Sequence, residues 1–179
     1  MSTLALSIVV YGPGTDANNR SHWAIALHRS HLQTGTILHV WPIDLSRLIY
    51  QLEIRSNTAL DSQGPEAFFT VTNIAPEDTK RVLKTISQEP APSDGVERCQ
   101  DWVLRAIIAL EAEEVVPPGT SSWVSGLIRR PAEELAVATL QSSVTGLELF
   151  GTNVSRQLGC GITDCDKAVG SLPNSRIAT

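Results

Sequence analysis

Two short stretches carry residue types suited to acyl chemistry. SHWAIALH (21–28) puts a histidine at the head of a small apolar run, and ERCQDWVL (97–104) puts Cys99 near the start of an amphipathic one. A cysteine attacks a carbonyl as its thiolate, and the free N–H groups and positive dipole end of a helix N-terminus favour that form. The thiolate alone is not sufficient. An imidazole within hydrogen-bond reach must handle the proton, and a third polar group must hold that ring in one tautomer.

The histidines are His22, His28, His31 and His39. His22 stands where a loop meets a strand, a place where the sheet fixes a group while the loop admits substrate. His28 points to the same face from near the strand's other end, and His31 falls in a hairpin loop. If the strands at 22–28 and 36–43 pair, His39 lies beside His22 as an orienting group. Whether His22 or His28 faces the thiol stays open at this level. The plain alternative for Cys99 is a small hydrophobe on a buried helix face. For Gln100 and Asp101 it is solvated surface.

The elements that must position these groups follow from periodicity and turn chemistry. LALSIVVY (4–11) reads as a buried central strand, and GPGTDANNR (12–20) as a loop. Strands follow at 22–28 and 36–43, with Pro42 marking an edge or a strand end. Two more are expected at 47–55 and 66–72, separated by a turn-like SNTALDSQG. APEDTKRVLKTISQ (75–88) reads as a short helix with acids in its first turn. Asp94 is expected to cap the next helix, with Glu97 completing a capping box. On that helix Cys99, Trp102, Val103, Ala106, Ile107 and Leu110 share a face, and Pro117–Pro118 end it. Further helices are expected at 121–130 and 131–141, with Pro131 in a first-turn position. The fold class is α+β: an N-terminal antiparallel sheet packed on C-terminal helices, in a single domain over 1–150. Residues 151–179, rich in Gly, Ser, Thr and Asn, read as a loosely packed tail.

Bulk properties exclude several function classes. The 179 residues carry 14 Lys+Arg against 19 Asp+Glu, a formal charge of -5. With no basic run, nucleic acid is not expected as a partner. No stretch nears the eighteen or so apolar residues that span a bilayer, and MSTLALSIVVYGPG reads as a first strand rather than a signal peptide. Three cysteines, Cys99, Cys160 and Cys165, make no disulfide scaffold, so the expected location is cytoplasmic. Cys160 and Cys165, with Asp164 and Asp166, lack the second ligand pair of a zinc site and read as tail thiols or a reversible disulfide. No metal or cofactor is expected. The Gly-rich GPG (12–14) has no phosphate-binding pattern, and the NVS sequon (153–155) is idle without a secretory route.

SHWAIAL, GTILHVWP and RCQDWVLRAIIALE together resemble a group of small fungal proteins with a His-Trp strand and a Cys-Gln-x-Trp helix. More distantly, the order resembles the permuted branch of the NlpC/P60 superfamily, papain-like proteins that include lecithin:retinol acyltransferase-like and permuted deubiquitinase-like members. There the histidine strand precedes the nucleophile helix. The resemblance spans roughly residues 4–112 and implies a permuted papain-like core with Cys99 as nucleophile, His22 as base and His39 as orienting group. It sets Tyr11 near the oxyanion. The acyltransferase-like members carry Asn-Cys-Glu-His where this chain has Arg98-Cys99-Gln100-Asp101, which argues against lipid acyl transfer.

The implied activity is a cysteine-dependent amide or acyl hydrolase or transferase acting on a small molecule or short peptide. Gln100 would assist at the oxyanion, and Asn18 and Asn19 would rim the site. Trp23, Trp41 and Trp102 are candidate pocket walls, although core is the stronger reading for each. A homodimer is compatible with the sequence. Two alternatives stand beside the enzyme: a catalytically silent binding or effector protein on the same fold, and a biosynthetic cyclase using the same pocket without thiol chemistry.

Overall fold

The computed structural model describes residues 3–16, 19–29, 34–60 and 64–136. The hairpin loop with His31, Asn18, the segment from 137 onward with Cys160 and Cys165, and the expected tail at 151–179 lie outside the described residues.

Five strands, β1 (Leu4–Tyr11), β2 (His22–Arg29), β3 (Thr34–Asp44), β4 (Ile49–Ala59) and β5 (Ala67–Ile74), form one sheet in the order β4-β3-β2-β1-β5. Every neighbouring pair is antiparallel. β1 and β2 are apolar almost throughout because both faces of the sheet are covered at its centre. Leu6, Ile8, Val10, Trp23, Ile25 and Leu27 turn inward to the helices, and Val9, Ala24 and Ala26 turn outward into a smaller cluster with Ile37 and Leu60. The chain then crosses from one sheet edge to the other between β4 and β5.

The helices α1 (Thr79–Gln88), entered through a 3-10 turn at Pro76–Asp78, α2 (Cys99–Ala112) and α3 (Thr120–Ser125) follow among the described residues. Residues 132–136 are also helical. α2 packs on β2 and β3, with α1 and α3 beside it. Its apolar face, Cys99, Trp102, Val103, Ala106, Ile107 and Leu110, is wholly buried. Each large aliphatic side chain so buried contributes about 1.5–3 kcal/mol. Among the described residues, no helix is long and apolar enough to cross a membrane.

Three expectations need correction. Asp94 does not cap α2: its carboxylate accepts the N–H groups of Val96 and Glu97 within a turn. α2 starts at Cys99, after Arg98, whose N–H is accepted by Asp101 at 2.9 Å. The carboxylate of the third helical residue satisfies that donor, so Cys99 is the first helical residue. SNTA (56–59) continues β4 rather than turning, because the ladder with β3 extends to Ala59 opposite Thr34. The segment at 121–130 is helical only to Ser125, with Gly126 as its C-cap, and turns follow through Arg129, whose φ is 68°.

Pro42 lies in the interior of β3, opposite Tyr50 of β4. The β2–β3 ladder ends at Ile25–Leu38, so at Pro42 the strand has no neighbour on that side and its missing N–H costs no bond there. Residues 22–24 and 39–41 thus lie at one end of the sheet beyond the last β2–β3 ladder pair.

Candidate functional site

That end of the sheet holds His22 and His39. His22 opens β2 opposite Tyr11 of β1, and His39 of β3 lies opposite Glu53 of β4. Strand alternation puts these side chains on the outer face, since Trp23, Leu38 and Val40 turn inward. His22 Nε2 and His39 Nδ1 are 3.0 Å apart, and His39 Nε2 is 3.0 Å from Glu53 Oε2. Arg55 closes the row with two bonds to the Glu53 carboxylate, 2.9 and 3.0 Å. The Tyr11 ring stacks on His22 at 6.2 Å, and Trp41 meets both imidazoles edge-on. Trp41 is 55% exposed, so it forms an accessible wall of the site.

Burial, and secondarily the neighbouring His39, hold the His22 pKa down at about 4. Burial also lowers His39, partly offset by Glu53. Both rings are therefore neutral at physiological pH. The Arg55 bonds keep the Glu53 carboxyl below its usual range.

Cys99 comes to the same strand end from the helix side. It packs in the core cluster with Trp23, Leu38, Val40 and Tyr50. Its thiol points to the Ser21 carbonyl at 3.9 Å, one residue before His22. Among the described residues, no hydrogen bond joins this thiol to an imidazole. Cys99 is 7% exposed, and burial pushes its pKa up. The backbone N–H groups of Trp23, Gln100 and Cys99 pull the other way, and the Asp101 charge adds to the rise.

Several candidate contacts turn out to be framework. Gln100 is neither solvated nor open to substrate: it is fully buried, donating to Ser21 O and Oγ and accepting the Arg129 N–H. With those bonds made, its side chain has no role left at an oxyanion. Trp23 and Trp102 are core, and their ring N–H groups go to Ser21 Oγ and the Glu89 carbonyl. Asn19 folds back onto its own loop, bonding Thr15 and Asp16. His28 is held at the far end of β2 by Ser7 and the Arg29 carbonyl, away from the His22–His39 pair.

Four residues near the site escaped the sequence reading. Glu53 and Arg55 were legible only as near neighbours of His39: a β3–β4 hairpin turning through residues 45–48 pairs 44 with 49 and, counting back, 39 with 54, and a bulge between Pro42 and Asp44 shifts the register by one to set Glu53 opposite His39. Tyr50 and Arg20 carried no such signal. The Tyr50 phenol lies within electrostatic reach of Cys99, Arg98, Arg20 and Asp101, and Arg20 pairs with Asp101 at 3.4 Å. Among the described residues, no cluster of His, Cys, Asp or Glu could hold a metal ion.

The architecture is thus that of an α+β protein in which a thiol at a helix N-terminus and a strand-borne His–His–Glu row lie at one end of an antiparallel sheet, on its opposite faces. The chain belongs to the DUF6540 family, a family of unknown function, whose model matches residues 6–117. No curated protein and no solved structure matches it.

Proposed function

We propose that the protein is a cysteine-dependent amide or acyl hydrolase or transferase, built on a permuted papain-like, NlpC/P60-like core and acting on a small molecule or short peptide. One observation carries this reading. The His22 ring is tethered through Nε2 to His39, 3.0 Å away, which leaves Nδ1 for a reacting group at the strand end that the Cys99 thiol also touches. His22 is neutral at physiological pH and has a lone pair to offer, but with a pKa of about 4 it lies below the range of an efficient base, so deprotonating the thiol requires the ring's surroundings to change when substrate binds.

The reaction requires the start of β2 to shift so that His22 Nδ1, on the outer face, reaches the Cys99 thiol, which lies on the helix side at the Ser21 carbonyl. Nδ1 takes the thiol proton while sulfur attacks the carbonyl carbon. Main-chain N–H groups at the start of α2 receive the oxyanion. Collapse expels the amine or alkoxide, which takes the proton from His22 and leaves a thioester on Cys99. Water or an acceptor amine attacks that thioester with His22 again as base, and the thiol is restored.

The buried sulfur, bonded to Ser21 rather than to an imidazole, favours a second reading: a binding protein on the same fold. Alkylation of the folded protein by iodoacetamide, mapped by mass spectrometry, separates the two. The enzyme reading expects native Cys99 to react at pH 7, and to slow by about tenfold or more in His22→Ala. Modification of Cys99 only upon global unfolding would overturn it in favour of the binding protein.

A further inference from the structure

We infer that Glu53, which reaches His22 through His39, is the positioning residue that sets the proton-accepting tautomer of His22. The inference deepens the proposed enzyme, on which its catalytic meaning rests, but the tautomer itself can be tested without activity.

The chain of donors and acceptors has only one consistent solution. Arg55 occupies both Glu53 oxygens, Nε on Oε1 at 2.9 Å and Nη2 on Oε2 at 3.0 Å. A guanidinium can only donate, and the paired carboxylate stays ionised and can only accept. At the 3.0 Å contact with Glu53 Oε2, His39 must therefore donate from Nε2. A neutral imidazole carries one ring proton, so His39 Nδ1 holds a lone pair. His22 Nε2, 3.0 Å from that lone pair, must be the donor in turn. The His22 proton thus sits on Nε2, and Nδ1 is left as the basic atom. The opposite tautomer of His22 would have no acceptor role for the thiol proton.

The polarity begins at Glu53 and passes through two rings. Without the carboxylate nothing selects it. An amide at 53 can turn its NH2 toward His39 Nε2, which moves the His39 proton to Nδ1 and makes His39 the donor to His22 Nε2. His22 then carries its proton on Nδ1 and cannot act as base. Arg55 acts one step further back, by holding both carboxylate oxygens.

The test is long-range proton–nitrogen NMR of the full chain with 15N-labelled histidine at pH 7, on the wild type and on Glu53→Gln. Wild-type His22 and His39 are expected to show protonated Nε2 and lone-pair Nδ1 by about tenfold or more, the scale of one charge-assisted bond. Glu53→Gln is expected to shift both rings toward protonated Nδ1. An Nδ1-protonated His22 in the wild type overturns the inference, even if the variant does not fold. So does a folded Glu53→Gln with both tautomers unchanged. Arg55→Gln, which keeps the carboxylate, is expected to leave the wild-type tautomers in place, and inversion there would overturn the assignment to Glu53. If the tautomers invert in Glu53→Gln while Cys99 alkylation is unaffected, the positioning role stands and the thiol enzyme fails.

Discussion

Gln100 and Ser21 lock the thiol helix to the histidine strand. The Gln100 amide donates to both the Ser21 carbonyl, at 3.0 Å, and the Ser21 hydroxyl, at 3.1 Å, and none of these groups is open to solvent. Ser21 precedes His22 and Gln100 follows Cys99, so this one fully satisfied contact fixes the spacing of the two candidate catalytic residues. Its third bond, from the Arg129 N–H, ties in the segment after α3.

Gln100→Ala should therefore destabilise the protein by about 2–4 kcal/mol, because it strands the Arg129 N–H and leaves a cavity in the core. Urea unfolding measures this directly. A loss below about 0.5 kcal/mol, typical of surface sites, would mean that the lock contributes nothing to stability.

The parts of this arrangement that sequence could disclose are those written in local periodicity. The apolar runs at β1 and β2 and the three-and-four spacing of Cys99, Trp102, Val103, Ala106 and Leu110 each follow from one element's own pattern. Gln100 was illegible for the opposite reason. By type it belongs on the surface, and it is buried only because its partners at 21 and 129 arrive from distant parts of the chain. The cap of α2 misleads in a third way: Asp94 does bind two N–H groups, but in a turn, while Asp101 reaches back to Arg98. The polar end of β4 resembles a loop because an edge strand facing water needs no alternation.

Gly14 gives a second test of how the strand end is held. Its φ is +62°, and a Cβ there would lie 2.7 Å from the Ser21 nitrogen. Both features penalise a side chain, so Gly14→Ala should cost about 1–3 kcal/mol and displace the start of β2. The expected signs are a lower urea midpoint and altered His22 ring resonances. Wild-type stability together with unmoved His22 signals would show that the loop yields and Ser21 is not set by Gly14.

Stability should fall with acid in a window set by His22. Its ordinary value is 6.5 and the folded value is about 4. Above 6.5 both folded and unfolded chains hold the ring neutral, and the full stability is present. Between 6.5 and 4 the unfolded chain binds a proton that the folded chain refuses, so stability declines as pH drops, by about 3 kcal/mol at the limit. His28 and His39, also lowered by burial, act in the same direction. The Glu53 carboxylate, held below its ordinary 4.5, adds to the decline only at the acid end of that window and below it. His22→Gln should flatten the decline between pH 6.5 and 4, as read from urea unfolding at a series of pH values. An unchanged slope in that variant would assign the decline to other groups.

Asp101 sets the thiol against reactivity while it caps the helix. One of its oxygens accepts the Arg98 N–H at 2.9 Å and lies 3.4 Å from Arg20, and its charge raises the Cys99 pKa. Asp101→Asn keeps an acceptor for the cap and removes the charge. Loss of that charge favours the thiolate. Asp101→Asn should therefore lower the Cys99 pKa and speed its alkylation at pH 7 by about two- to fivefold, a fraction of one pKa unit, while stability drops by about 0.5–1 kcal/mol. Iodoacetamide rates across pH on both proteins give the thiol pKa directly. Slower alkylation in the variant, at unchanged fold, would show that the carboxylate assists deprotonation rather than opposing it, and would reverse the electrostatic account of the thiol.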